Sequence, residues 1–81
     1  MSAAHELLRI LQELHPEADF LAPGGLVGGG VLDSFDVIAI VGEIHERLGV
    51  ALPPEEIVPE NFDSYARLLA LVSGLLEEDG Q

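Results

Sequence analysis

The sequence of 81 residues contains no cysteine, which excludes a disulfide framework and a metal site built on thiolates. It has no apolar run near the roughly 20 residues that a helix needs to span a bilayer. The first residues, Met1 to Glu6, lack the basic region and the long apolar stretch of a secretory signal. We therefore expect a cytoplasmic protein without an integral membrane segment.

Lysine is also absent, and the three basic residues are Arg9, Arg47 and Arg67. They stand against 15 acidic residues, which gives a net charge of −12. Such a chain repels nucleic-acid phosphates and anionic membrane surfaces, so neither is an expected partner. The negative field favours basic patches on partner proteins. The alternative interpretation is that the acidity only keeps a small protein soluble.

The length allows one domain, residues 1–81, and a chain of this size buries roughly 60–65% of its unfolded surface. A hydrophobic content of 48% is too high for a disordered acidic tail. One small core fits this size, whereas a deep, water-free active site fed by several loops does not. We expect a monomer that is not an enzyme.

Apolar residues recur at helical spacing in three segments, which predicts helices over residues 3–15, 34–48 and 65–78. Ser2, Asp33 and Ser64 precede these segments as candidate N-caps. Pro59 begins a short helical segment before the last helix. The fold class is therefore predicted to be all-α: a small four-helix bundle with three longer helices, one short helix and a long loop between the first two longer helices.

That loop, residues 16–32, contains the glycine-rich run Gly24-Gly25-Leu26-Val27-Gly28-Gly29-Gly30. A nucleotide-binding P-loop would require a following Lys and Ser or Thr, but Val31-Leu32-Asp33 follows and no strand precedes the run. Nucleotide binding is therefore disfavoured. We expect four apolar side chains of the loop to pack against the helices, namely Leu21, Leu26, Val27 and Leu32.

The second predicted helix has two apolar faces. One is a core stripe of Val37, Ile40, Val41, Ile44 and Leu48. The other carries Phe35, Ile38, Ala39 and Gly42, with Glu43 and Glu46 beside them. Either the loop 16–32 covers this second face, or it is an acid-rimmed docking patch next to Ser34.

Ser34 lies at the start of this helix, where backbone N–H groups lack intrahelical partners and the dipole favours negative charge. A phosphodiester on its hydroxyl would be well placed there. A serine at a helix start is usually only a cap, so the pair Asp33-Ser34 is a weak signal by itself.

The surrounding sequence reads Gly30-Val31-Leu32-Asp33-Ser34-Phe35-Asp36-Val37. This stretch resembles the phosphopantetheine attachment motif of the acyl carrier and peptidyl carrier protein family. Residues 43–49 are similar to the helix that follows the modified serine in that family. Residues 57–64 are similar to the segment that leads into the family's last helix. The resemblance implies that a phosphopantetheinyl transferase moves 4′-phosphopantetheine from coenzyme A onto Ser34. It also implies that acyl or aminoacyl groups are carried as thioesters on the phosphopantetheine arm. It makes Asp33 part of the motif as well as a helix cap.

The resemblance also implies partners: a loading ligase or acyltransferase and downstream biosynthetic enzymes with basic docking patches. Its implied contact residues are Phe35, Asp36, Ile38, Ala39, Gly42, Glu43 and Glu46. The family more often has Leu or Ile in place of Phe35, and a larger apolar residue in place of Gly42. We therefore expect a free-standing carrier of a specialised polyketide, nonribosomal peptide or related pathway. The alternatives are a D-alanyl or other aminoacyl carrier and a fatty-acid synthesis carrier.

Other sites are disfavoured. The three histidines, His5, His15 and His45, lack zinc-ligand spacing, so no metal site is predicted. His45 lies eleven residues from Ser34, about 16 Å along a helix, which is too far for a nucleophile–base pair. A hydrolase or transferase using Ser34 therefore ranks last. An unmodified acidic adaptor remains the alternative from a different class.

Overall fold

The computed structural model describes residues 2–21 and 24–79, which form an all-α fold. Its four helices are α1 (Ala3–Leu14), α2 (Ser34–Leu48), α3 (Pro59–Phe62) and α4 (Tyr65–Asp79). A 3-10 turn, Pro54–Glu56, precedes α3, and the described residues contain no strand. The predicted arrangement of three longer helices and one short helix is confirmed. No helix within the described ranges is long and apolar enough to cross a membrane.

Capping residues determine where the helices begin and end. The Ser2 side chain accepts a hydrogen bond from the His5 N–H, and the Ser64 hydroxyl accepts one from the Arg67 N–H, both at 3.1 Å. Each satisfies an amide that the first helical turn would leave unpaired. The helix α2 ends at Gly49, whose φ of 69° lies in the left-handed region that glycine tolerates.

The three longer helices enclose one hydrophobic core, which the connecting segments complete. Phe62 of α3 is fully buried, and Phe20, Leu26 and Leu32 enter the core from the segment between α1 and α2. The core residues are Leu7, Ile10, Leu11, Phe20, Leu26, Leu32, Ile40, Ile44, Val50, Leu52, Phe62, Leu68 and Val72. The core stripe predicted for α2 is confirmed, because its five residues are either fully buried or packed against this cluster.

The segment between α1 and α2 forms turns and bends in its described parts, 15–21 and 24–33. Leu26 and Leu32 are buried and Val27 is half-buried, as expected. The expectation for Leu21 is wrong, because its side chain is 75% exposed. Its neighbour Phe20 enters the core instead, while the Leu21 N–H donates to the Asp19 carboxylate at 3.0 Å and so turns the chain at the surface.

Polar contacts join α1 to α2 and to α4. The Arg47 guanidinium of α2 contacts Glu6 (3.4 Å) and Glu13 (2.6 Å) of α1, and Glu43 (2.9 Å) of its own helix. The Tyr65 hydroxyl at the start of α4 donates to the Ala4 carbonyl at 2.8 Å. The Arg47 contacts join the last turn of α2 to α1, and the Tyr65 contact joins the start of α4 to α1.

Candidate functional site

Ser34 is the first residue of α2, and it is exposed. The preceding residue, Asp33, forms a reciprocal capping box with Asp36: the Asp36 N–H donates to Asp33 Oδ1 at 2.9 Å, and the Asp33 N–H donates to Asp36 Oδ2 at 3.1 Å. Within the described residues, no hydrogen bond occupies the Ser34 hydroxyl. The serine that the sequence singled out is thus not the cap of its own helix, because Asp33 has that role.

The helix start is held by a contact from α1. His15, which follows the last residue of α1, places Nε2 2.9 Å from Asp36 Oδ2. Desolvation raises the pKa of the Asp36 carboxyl, but hydrogen bonds from His15 and from the Asp33 N–H outweigh it, so the pKa lies below its ordinary value. Asp36 is therefore an anion engaged on two sides, next to the exposed Ser34.

An open apolar groove of about 360 Å³ lies beside Ser34. We call it the Ser34 groove; it is lined by Val27, Leu32, Asp33, Ser34, Val37, Ile38, Ile57, Val58 and Pro59. Its walls come from three parts of the chain: the segment before α2, the first two turns of α2, and the segment that leads into α3.

The outward face of α2 remains uncovered. Phe35 is 80% exposed and Ile38 is 68% exposed, so the alternative in which the loop 16–32 covers them is wrong. Gly42 and Glu46 are exposed as well, whereas Ala39 and Glu43 are half-buried. The remaining predicted contact residue, Asp36, is also half-buried.

Two of these contact residues are already engaged within the protein. Glu43 forms an ion pair with Arg47, and Asp36 is held by the capping box and by His15. The exposed part of the face is therefore Phe35, Ile38, Gly42 and Glu46.

Asp63, between α3 and α4, is a residue that the sequence analysis did not single out. Its carboxylate accepts hydrogen bonds from the N–H groups of Gly25 (3.0 Å), Val27 (2.9 Å) and Gly28 (2.9 Å). These bonds lower the pKa of the Asp63 carboxyl because they stabilise its anionic form. The glycine-rich run does cradle an anion, but the anion belongs to the protein itself.

The described residues contain no cluster of three or more side chains that could hold a metal ion. His5 and His45 are exposed and far apart in sequence, and His15 is paired with Asp36. His15 is thus half-buried and engaged with Asp36.

Comparisons with protein-family models, with curated proteins and with solved structures found no match to this chain.

Proposed function

We propose that this protein is a free-standing carrier that holds acyl or aminoacyl groups as thioesters on a 4′-phosphopantetheine arm attached to Ser34. The observation that carries the proposal is that Ser34 is exposed at the N-terminus of a 15-residue helix. The preceding residue, Asp33, caps this helix, so the Ser34 side chain is not needed as a cap. Because Asp33 satisfies the capping requirement, the Ser34 hydroxyl is available for modification. The resemblance of residues 30–37 to the attachment motif of carrier proteins supplies the chemistry.

Attachment is a transfer catalysed by a separate phosphopantetheinyl transferase. The Ser34 oxygen forms a bond to the phosphorus that bears the pantetheine group of coenzyme A. The bond from that phosphorus to adenosine 3′,5′-bisphosphate breaks, and the hydroxyl proton is released. The resulting phosphodiester is an anion next to the first-turn N–H groups of α2, where the helix dipole stabilises negative charge.

The carrier itself performs no catalysis in this proposal. Its partners are the transferase, a loading ligase or acyltransferase, and downstream enzymes with basic docking patches. The exposed Phe35 and Ile38, the acidic Glu46 and the net charge of −12 support this assignment of the outward face of α2. The aromatic Phe35, where the family more often has Leu or Ile, favours a polyketide, nonribosomal peptide or related specialised pathway over a housekeeping fatty-acid synthesis role. A D-alanyl or other aminoacyl carrier remains the alternative. The proposal includes a cytoplasmic, monomeric protein.

The test is incubation with a promiscuous phosphopantetheinyl transferase and coenzyme A, followed by intact-mass measurement. The wild-type chain should gain one phosphopantetheinyl group, and Ser34→Ala should gain none. Ser2→Ala is the matched control, because Ser2 also stands at a helix start, and it should gain the group like the wild type. No gain in the wild type, or an equal gain in Ser34→Ala, would refute the carrier function.

A second candidate is an unmodified acidic adaptor, which the exposed Phe35 and Ile38 also support. An adaptor would bind a basic partner through the outward face of α2 without any group on Ser34. It requires that the chain purified from its own host carries no modification, and that Ser34→Ala retains full biological activity. Phe35→Ala should weaken partner binding under both functions, so Ser34→Ala is the variant that separates them.

A further inference from the structure

The glycine-rich loop comprises residues 24–30. Four consecutive backbone amides in it, those of residues 25 to 28, donate hydrogen bonds to Asp63. The N–H groups of Gly25, Val27 and Gly28 donate to the Asp63 carboxylate, and the Leu26 N–H donates to the Asp63 backbone carbonyl at 2.8 Å. The two carboxylate oxygens accept from different amides: Oδ2 from Gly25, and Oδ1 from Val27 and Gly28. One residue thus holds the turn at every amide from position 25 to position 28.

The loop sequence suits this geometry. Gly25 has a φ of 87°, which a residue with a side chain rarely adopts. Gly29 closes the turn with an N–H bond to the Gly25 carbonyl at 2.7 Å, and a Cβ on Gly29 would lie only 2.5 Å from that same oxygen. The glycines therefore allow the backbone to fold closely enough around Asp63 for three amides to converge on one carboxylate.

The turn is connected to the Ser34 groove by the backbone. The Leu32 N–H donates to the Leu26 carbonyl at 2.8 Å, and the Leu32 side chain is buried two residues before Ser34. Val27, whose amide binds Asp63, and Leu32 both line the groove. The contacts of Asp63 therefore determine where one wall of the groove stands.

We infer that Asp63 is a positioning residue, which holds the glycine-rich loop so that the Ser34 groove is preformed. Its effect on modification of Ser34 rests on the proposed function, whereas its hold on the loop does not. A preformed groove means that the transferase meets Ser34 in its binding-competent arrangement. Where only a fraction of molecules is competent, apparent affinity falls by that fraction.

Two variants of Asp63 and one control test the hold on the loop. Asp63→Ala removes all three side-chain bonds. Asp63→Asn keeps one acceptor oxygen, which can stay with Val27 and Gly28, but it turns an amide NH₂ toward the Gly25 N–H. Glu60→Gln removes one negative charge from the neighbouring exposed carboxylate of α3, which lines the same surface depression as Asp63.

Amide hydrogen exchange of the full chain, measured by NMR, gives the first readout. In Asp63→Ala, the amides of Gly25, Val27 and Gly28 should exchange faster than in the wild type. In Asp63→Asn, the Gly25 amide should be the most accelerated of the three. Glu60→Gln should exchange at wild-type rates. Wild-type rates at all three amides in both Asp63 variants would overturn the inference.

The second readout is the kinetics of the transferase acting on each variant. Asp63→Ala should lower kcat/KM by about tenfold, because a smaller fraction of molecules would hold the groove wall in its binding-competent position. The loss should fall on KM. A purely structural effect would instead lower the concentration of folded substrate and leave the KM of the folded fraction unchanged. If Asp63→Ala does not fold, Asp63→Asn provides the same comparison with a smaller effect.

The failures of the two proposals are distinguishable. If the wild type is not modified, the carrier function is wrong, and amide exchange alone decides the role of Asp63. If the wild type and both Asp63 variants are modified with the same KM, the carrier function stands and the positioning role is overturned. Both proposals are supported if the Asp63 variants show faster loop exchange and a raised KM while Glu60→Gln shows neither.

Discussion

His15 Nε2 lies 2.9 Å from Asp36 Oδ2, and this contact joins the end of α1 to the first turn of α2. Asp36 Oδ2 also accepts the Asp33 N–H, so one carboxylate oxygen serves an interhelical pair and a capping box. The two residues are 21 positions apart and flank the whole connection between the helices. The N-terminus of α2, which presents Ser34, is therefore held from both the α1 side and the Asp63 side.

The first prediction concerns stability in acid. The pKa of the Asp36 carboxyl is lowered from its ordinary value of 3.8 in the folded protein. Its contribution to the free energy of unfolding is therefore fully present above about pH 4, and it is lost as the pH falls through the folded-state pKa. Asp36→Asn should lower stability at pH 7 and should lose less on acidification than the wild type.

Urea denaturation at pH 7 and at several values below pH 4 measures this difference. Glu46→Gln, which removes an exposed carboxylate from the same helix, is the control. If Asp36→Asn loses as much stability between pH 7 and pH 3 as the wild type does, the described pairing of Asp36 is wrong.

The second prediction compares two phenylalanines. Phe62 is fully buried, whereas Phe35 is 80% exposed. Phe62→Ala should cost about 3–5 kcal/mol of unfolding free energy, because it removes buried surface and leaves a cavity. Phe35→Ala should change stability by no more than about 0.5 kcal/mol.

Chemical denaturation separates these outcomes, and binding assays with partner enzymes give the complementary result. Under the proposed function, Phe35→Ala weakens partner binding while the fold is retained. A large loss of stability in Phe35→Ala would show that this side chain packs within the protein and does not form an open face.

The third prediction uses two adjacent glycines. A Cβ on Gly29 would lie 2.5 Å from the Gly25 carbonyl oxygen, whereas a Cβ on Gly28 would lie 3.6 Å from Asp63 Oδ1, an ordinary contact. Gly29→Ala should therefore cost roughly 1–3 kcal/mol, the usual range for overpacking. Gly28→Ala should be close to neutral, because its φ is not positive and its N–H remains available to Asp63.

Thermal unfolding of the two variants tests the shape of the glycine-rich loop directly, since the substitutions are chemically identical. Equal midpoints for Gly28→Ala and Gly29→Ala would contradict the close approach of residues 25 and 29.

The helices could be predicted from the sequence, because the signals that begin and end them are local. Asp33 caps a helix through an amide three residues away, and Gly49 ends it through its own backbone freedom. These effects act within one turn and can be recognised from neighbouring residues. The position of Ser34 at the start of α2 follows from the same signals, and its proposed modification follows from the resemblance of the stretch around it.

The contacts between distant residues could not be predicted from the sequence, because they depend on how the chain packs. The Gly25 amide finds its acceptor 38 residues away in Asp63, and His15 finds Asp36 across the whole connection between α1 and α2. Neither pairing has a local signal, because each depends on how the helices pack around Phe62 and the rest of the core. The exposure of Leu21 also depends on the tertiary structure, because the turn at Asp19 leaves Leu21 at the surface while Phe20 is buried in the core.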